Sequence, residues 1–217
     1  MKKISCENKS LFRQNAKEHL SKVHNAYKRD KVISKQLLEV IDQIKPRSIL
    51  MYIPLGIEAN ITHVIEKCRR KYRVFVPFMQ GISFKMVKYR LPLYTKRFNL
   101  KEPKNSLVRH NAIDLAIVPV IGVDGALRRI GFGKGMYDRF FHSLSSKPIV
   151  IFVQRSMCMT PMLIGEEHDI AANIYLTPYQ IISQRGYHDI RITSGRSNSS
   201  KRRCGVFHRK KDGSGKL

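Results

Sequence analysis

The chain has 217 residues, 42% of them apolar, and a formal net charge of +25 from 41 basic and 16 acidic side chains. That length suits one domain of about 150–200 residues plus a tail, with enough apolar residues to fold without disulfides or structural metals. No segment approaches the roughly 20 consecutive apolar residues of a membrane span, and the basic start Met1-Lys2-Lys3 is not followed by the apolar run of a signal peptide, so the expected location is cytoplasmic. Cys6, Cys68, Cys158 and Cys204 are scattered without metal-ligand spacing, which fits reduced thiols.

Residues 8–24 and 30–44 read as two amphipathic helices, the second carrying Val32, Ile33, Leu37, Val40, Ile41 and Ile44 and ending before Pro46. Ser48 to Ile53 is a short strand closed by Pro54-Leu55-Gly56. Ile61 to Arg70 is helical, and Arg73 to Pro77 and Ile82 to Val87 are strands. Residues 90–112, with Pro92 and Pro103, form a polar surface excursion. Ala112 to Val120 is the most apolar strand. A glycine-rich stretch and a helix from Tyr137 to Leu144 follow, then a strand from Pro148 to Val153. Met157 to Glu167 is a loop or short helix, Asn173 to Thr177 a last strand, and Pro178 the start of a short final helix.

Alternating strands and helices predict a single Rossmann-like α/β domain, its mostly parallel sheet flanked by helices, over residues 1–184. The segment 185–217 carries ten basic and two acidic residues and is Gly- and Ser-rich, so it is expected to be disordered. The remaining 31 basic against 14 acidic residues leave the domain itself basic. That bias keeps open an alternative function, a basic nucleic-acid-associated protein, although no aromatic RNA-binding motif accompanies it and specific nucleic-acid binding is not expected.

The most informative stretch is Arg129-Ile130-Gly131-Phe132-Gly133-Lys134-Gly135-Met136-Tyr137-Asp138-Arg139. Glycines let backbone N–H groups approach an anion, a helix start adds partial positive charge, Lys134 can meet phosphate oxygens, and Asp138 can hold magnesium. The spacing matches neither a P-loop nor a dinucleotide fingerprint, and a plain tight turn would use glycine in the same way. Lys9 and Arg13 share a helix face, Glu58 stands at a strand end where ligands bind, and Glu167-His168-Asp169 offers a second carboxylate. There is no Gly-x-Ser-x-Gly nucleophile elbow.

From about Lys9 to Thr177 these segments together resemble the 5-formyltetrahydrofolate cyclo-ligase family. The glycine stretch follows its Arg-[Leu/Ile]-Gly-x-Gly-[Gly/Lys]-Gly-Tyr-Tyr-Asp-Arg motif, with Met136 in place of the first Tyr. Lys9-x-x-Phe12-Arg13, Phe98-x-Leu100-x-Glu102-Pro103, Val118-Pro119-Val120 with Val123-Asp124, and Glu167-His168-Asp169 with Thr177 are similar to its other elements and occur in its order. A monomer is expected, and the resemblance implies an enzyme that uses ATP and Mg2+ to cyclise 5-formyltetrahydrofolate to 5,10-methenyltetrahydrofolate. It implies Lys134 and Arg129 as catalytic. ATP would lie against Lys9, Arg13, Arg129, Gly131, Gly133, Lys134, Gly135, Tyr137 and Asp138. The folate would lie against Ile53, Glu58, Phe132, Met136 and Tyr137, and the metal on Asp138 and Asp169.

Overall fold

The computed structural model describes residues 2–96, 100–106, 112–184 and 186–187. Phe98 and all but Gly186 and Tyr187 of the expected tail lie outside the described residues. In chain order the elements are α1 (Lys2–Ser21), α2 (Ala26–Ile44), β1 (Ser48–Leu50), α3 (Thr62–Cys68), β2 (Arg73–Gln80), β3 (Ser83–Lys88), β4 (Tyr94–Thr95), β5 (Lys101–Glu102), β6 (Leu115–Pro119), β7 (Gly122–Val123), β8 (Arg129–Ile130), α4 (Met136–His142), β9 (Ile149–Val153), β10 (Ile174–Leu176) and β11 (Ile181–Ser183).

The main sheet has seven strands in the order β11-β10-β9-β6-β1-β2-β3. The five central strands are parallel, and β3 and β11 add antiparallel edges. Both faces are covered, so the central strands are apolar on both sides. Leu115 and Ile117 of β6 face α2 and α3, packing with Ile33, Leu37, Ile41 and Ile65. The alternate residues Ala116 and Val118 face α4, packing with Phe140. The long helix α1 takes no part in either layer. Ala16 and Leu20 pack on Ile121 and Cys158, beyond the carboxyl end of β6. This seat brings Arg13 to the glycine loop and Lys9 to Asp169.

Strand β1 is where the order turns back. The chain adds β2 and β3 on one side of it, and β6, β9 and β10 on the other. Ligands in open α/β sheets bind in the crevice beyond such a switch point. Here the crevice is widened because β2 outruns its neighbour. Its pairing with β1 stops at Leu50 and Phe75, whereas its pairing with β3 continues to Gln80 and Ser83.

Two expectations are corrected and a third is resolved. Pro178 does not open a helix. Thr177 and Gln180 exchange backbone and hydroxyl hydrogen bonds in a tight turn, which returns the chain as β11 alongside β10. Met157 to Glu167 is the loop of the two alternatives expected there. The glycine loop does not follow β6 directly, because the small β7–β8 hairpin intervenes. Its turn is held by Asp124, fully buried, which accepts N–H bonds from Ala126 (2.9 Å), Arg128 (2.8 Å) and Gly165 (3.0 Å). A buried carboxylate is tolerated there because three donors replace its water.

Candidate active site

A cavity of about 560 Å3 opens at the switch point, between the β2–β3 hairpin, the loop after β1, and the glycine loop. Ile53, Glu58, Phe132, Met136 and Tyr137 all line it, as do Arg129, Lys134 and Gly135. Most of the remaining wall is apolar, from Ile57, Pro77, Met79, Phe84 and Pro119. Phe84 makes an edge contact with Tyr137 (4.9 Å between centroids) and stacks on Phe140 at 4.4 Å, so the aromatic wall is braced from behind.

Glu58 is the buried acid of this wall, 6% exposed, and the N–H of Leu55 donates to its Oε2 at 2.9 Å. Burial pushes its carboxyl up to about 7, against the smaller opposing effects of that hydrogen bond and of the Arg129 and Arg155 charges. Burial, together with the Glu58 charge, holds the Tyr137 phenol far above its usual value, so it remains a neutral hydroxyl.

The glycine loop excludes side chains by close contact at Gly131 and by backbone conformation at Gly133 and Gly135. A Cβ on Gly131 would run into the Arg129 guanidinium, and Gly133 and Gly135 take φ of 101° and 59°. Helix α4, which follows, is only seven residues long and has no side-chain cap. Positive charge at the loop therefore comes from side chains rather than from the helix. Arg13 Nε donates to the Gly131 carbonyl at 3.0 Å, and its guanidinium lies against Gly133. Lys17 Nζ sits 5.5 Å from the centre of the Phe132 ring.

Beside this loop is a compact set of opposite charges. Lys9 Nζ donates to Asp169 Oδ2 at 2.5 Å, both side chains being less than a tenth exposed. Glu166 N–H donates to the same oxygen at 2.6 Å. The next residue in the chain, Ile170, donates its N–H to Asp138 Oδ1 at 3.3 Å, which ties Asp138 to the segment that carries Asp169. Arg129 Nη1 lies 3.6 Å from Asp138 Oδ2, and its Nε donates to the Pro119 carbonyl at 3.2 Å. Its guanidinium also sits 4.8 Å from the Tyr137 ring centre. Arg129 thus meets the Asp138 carboxylate and also lines the cavity. Among the described residues, no group of three or more His, Cys, Asp or Glu side chains gathers that could hold a metal ion unaided.

Sequence reasoning missed three contributors. Glu102 lines the cavity and accepts the Met79 N–H at 2.8 Å, although its segment reads as surface excursion. Arg155 forms a two-point ion pair with Asp30 (2.8 and 2.9 Å) and donates to the Gly56 carbonyl at 3.1 Å, fixing the loop that carries Glu58. Arg139, within the motif, reaches back to the β2–β3 turn. For Glu102 a signal was present, in Glu-Pro after alternating residues. For Arg155 nothing local marks it. The buried thiols of Cys68 and Cys158 are pushed up to about 12 and 11 by burial, which leaves them unreactive.

Known proteins resemble this chain in sequence and in fold. The chain is 29% identical over 147 residues to the 5-formyltetrahydrofolate cyclo-ligase of Mycolicibacterium smegmatis, covering 63% of this chain and 76% of that protein. It is 32% identical over 76 residues to the Mycoplasma genitalium protein of the same name, covering 34% of this chain and 46% of the other. Its fold matches the NMR structure of Aquifex aeolicus 5,10-methenyltetrahydrofolate synthetase with a TM-score of 0.68 at 20% identity, covering 83% of this chain and 98% of that one. A synthetase from Mycoplasma pneumoniae matches with a TM-score of 0.62 at 17% identity, over 78% and 98% of the two chains. With residues 5–178 also matching the model of the 5-formyltetrahydrofolate cyclo-ligase family, the chain belongs to that family.

Proposed function

We propose that this protein converts 5-formyltetrahydrofolate and ATP to 5,10-methenyltetrahydrofolate, ADP and phosphate. The observation that carries the proposal is the position of Arg129, which places one guanidinium between an apolar cavity with a buried acid and a cluster of cations and carboxylates. A flat, largely apolar ring system fits the cavity, and a polyphosphate fits the cluster. The reaction joins the two at their boundary.

In this reading Glu58, as a carboxylate, accepts N–H donors of the pterin while Phe84 and Tyr137 brace the ring wall. Lys134 and Arg129 meet the γ-phosphate, and Lys9 and Arg13 meet phosphates on the α1 side. The formyl oxygen attacks the γ-phosphorus and ADP departs, leaving an N5-iminium phosphate. N10 then attacks the formyl carbon and loses its proton, and phosphate leaves with the C–O bonding pair. Phosphoryl transfer of this kind needs positioning and charge neutralisation more than covalent participation by the protein. The low-dielectric cavity strengthens both.

Asp138 and Asp169 fit a magnesium ion that arrives with the nucleotide. Their donors are hard oxygens, and two carboxylates suffice when phosphates and waters complete the shell. Such an ion would supply charge neutralisation at the phosphates. Lys9, now bound to Asp169, would then turn its ammonium to phosphate oxygen. The test is direct: purified protein mixed with MgATP and 5-formyltetrahydrofolate gains the absorbance of the methenyl product. No absorbance change at high enzyme concentration overturns the proposal.

A further inference from the structure

Arg139 lies outside both the cavity and the charged cluster, yet it joins the walls of each. Its Nε and Nη2 donate to the carbonyl of Ile82, the former at 3.2 Å, in the turn between β2 and β3. Nη2 also donates to the carbonyl of Lys134, in the glycine loop, at 2.5 Å. The fit is close, since a Cβ on Gly135 would come within 3.1 Å of Arg139 Nη1. Ser83 Oγ adds a bond to the Met136 carbonyl at 3.4 Å.

The end of the β2–β3 hairpin needs such a brace. It projects beyond β1, where Glu102 of β5 holds it at the Met79 N–H but no strand pairs with its tip, and it contributes Gly81 and Phe84 to the cavity wall. A guanidinium offers several N–H donors in one plane and can hold two carbonyls at once. An ammonium, a point charge on a flexible stem, holds the pair less firmly.

We propose that Arg139 is a positioning residue that couples the nucleotide-side glycine loop to the folate-side hairpin, so that a ligand ordering one wall favours binding at the other. This rests on the function proposed above. Coupling of this sort is reciprocal: each ligand tightens the other by the same factor. The side chain is exposed, so its loss leaves the core intact.

Binding of a non-hydrolysable ATP analogue with magnesium, measured by calorimetry on the full chain with and without 5-formyltetrahydrofolate, tests this. In the wild type the folate tightens the analogue by about fivefold or more, the lower end of measured couplings. Arg139→Ala brings that factor close to one. It also raises the folate KM about tenfold, the loss expected from breaking charge-assisted hydrogen bonds, with kcat changed much less. Arg139→Lys restores the coupling only in part. A coupling factor near one in the wild type, or an unchanged factor in Arg139→Ala, overturns the inference. So does a fall in melting temperature of Arg139→Ala with KM and coupling intact, since that marks a structural role alone. A wild type that binds both ligands with coupling but makes no methenyl product would instead sink the proposed reaction.

Discussion

The function proposed above gives the site a phosphate half and a folate half, and the two are built in opposite ways. The phosphate half draws on one contiguous loop, Arg129 to Asp138, overlaid by a helix face carrying Lys9 and Arg13. It is polar, and its charges are already paired with one another. The folate half is assembled from the loop after β1, the β2–β3 hairpin, β5 and the end of β6, and is mostly apolar. Chemistry concentrates where charge can be supplied by a few residues near each other in sequence. Shape recognition needs walls, and walls come from tertiary structure.

Substitutions at the phosphate half have the largest expected effect. Lys134→Ala lowers kcat by about a thousandfold, comparable to other lost transition-state cations, with the melting temperature almost unchanged because the side chain is exposed. Asp138→Ala also abolishes turnover but costs stability, roughly 3 kcal/mol, because it strips the carboxylate from a buried Arg129. Single-turnover assays and thermal melts of both variants check the contrast. Equal melting temperatures would show that Arg129 does not depend on Asp138.

Glu58→Gln tests the folate half, where stability and activity should move in opposite directions. The carboxyl stands at about 7 in the folded protein against a reference of 4.5, so the native state holds the extra proton between those values. Native stability therefore falls as pH rises from 4.5 to about 7 and stays reduced above. Glutamine removes the penalty. The variant is more stable than wild type above pH 7, by an amount on the order of 2 kcal/mol, and the difference vanishes near pH 4.5. Its kcat/KM for folate falls about a hundredfold, and the wild type loses kcat/KM as pH drops through about 7. A wild-type profile flat across that range would remove Glu58 as an acceptor that must be ionised.

The smallest effect is expected at Met136, a partly buried cavity residue. Met136→Tyr restores an aromatic edge and lowers the folate KM about threefold, the scale of one ring contact, with ATP parameters unchanged. A larger change in the ATP KM would mean that this position belongs to the phosphate half.

Much of this was legible from residue order. The strands from Ser48, Arg73, Leu115 and Ile149 announce themselves as short apolar runs between turn residues. The glycine loop stands out by its spacing, but its reading as a phosphate site comes from the family resemblance rather than from spacing. What sequence reading got wrong has a common cause, dependence on a partner distant in the chain. Pro178 begins a turn because β10 offers an edge for β11. Glu102 looks like a surface acid until the unpaired Met79 N–H is placed beside it.

By itself the sequence determined the alternation of strands and helices, the glycine loop and the identity of its cations, because period, turn chemistry and charge are local properties. Only the tertiary structure decided that β2 outruns β1 to open a cavity, that Lys9 meets Asp169, and that Arg129 faces both halves. Those facts depend on which strands lie side by side and where each stops, and pairing across the sheet leaves no mark at any one position.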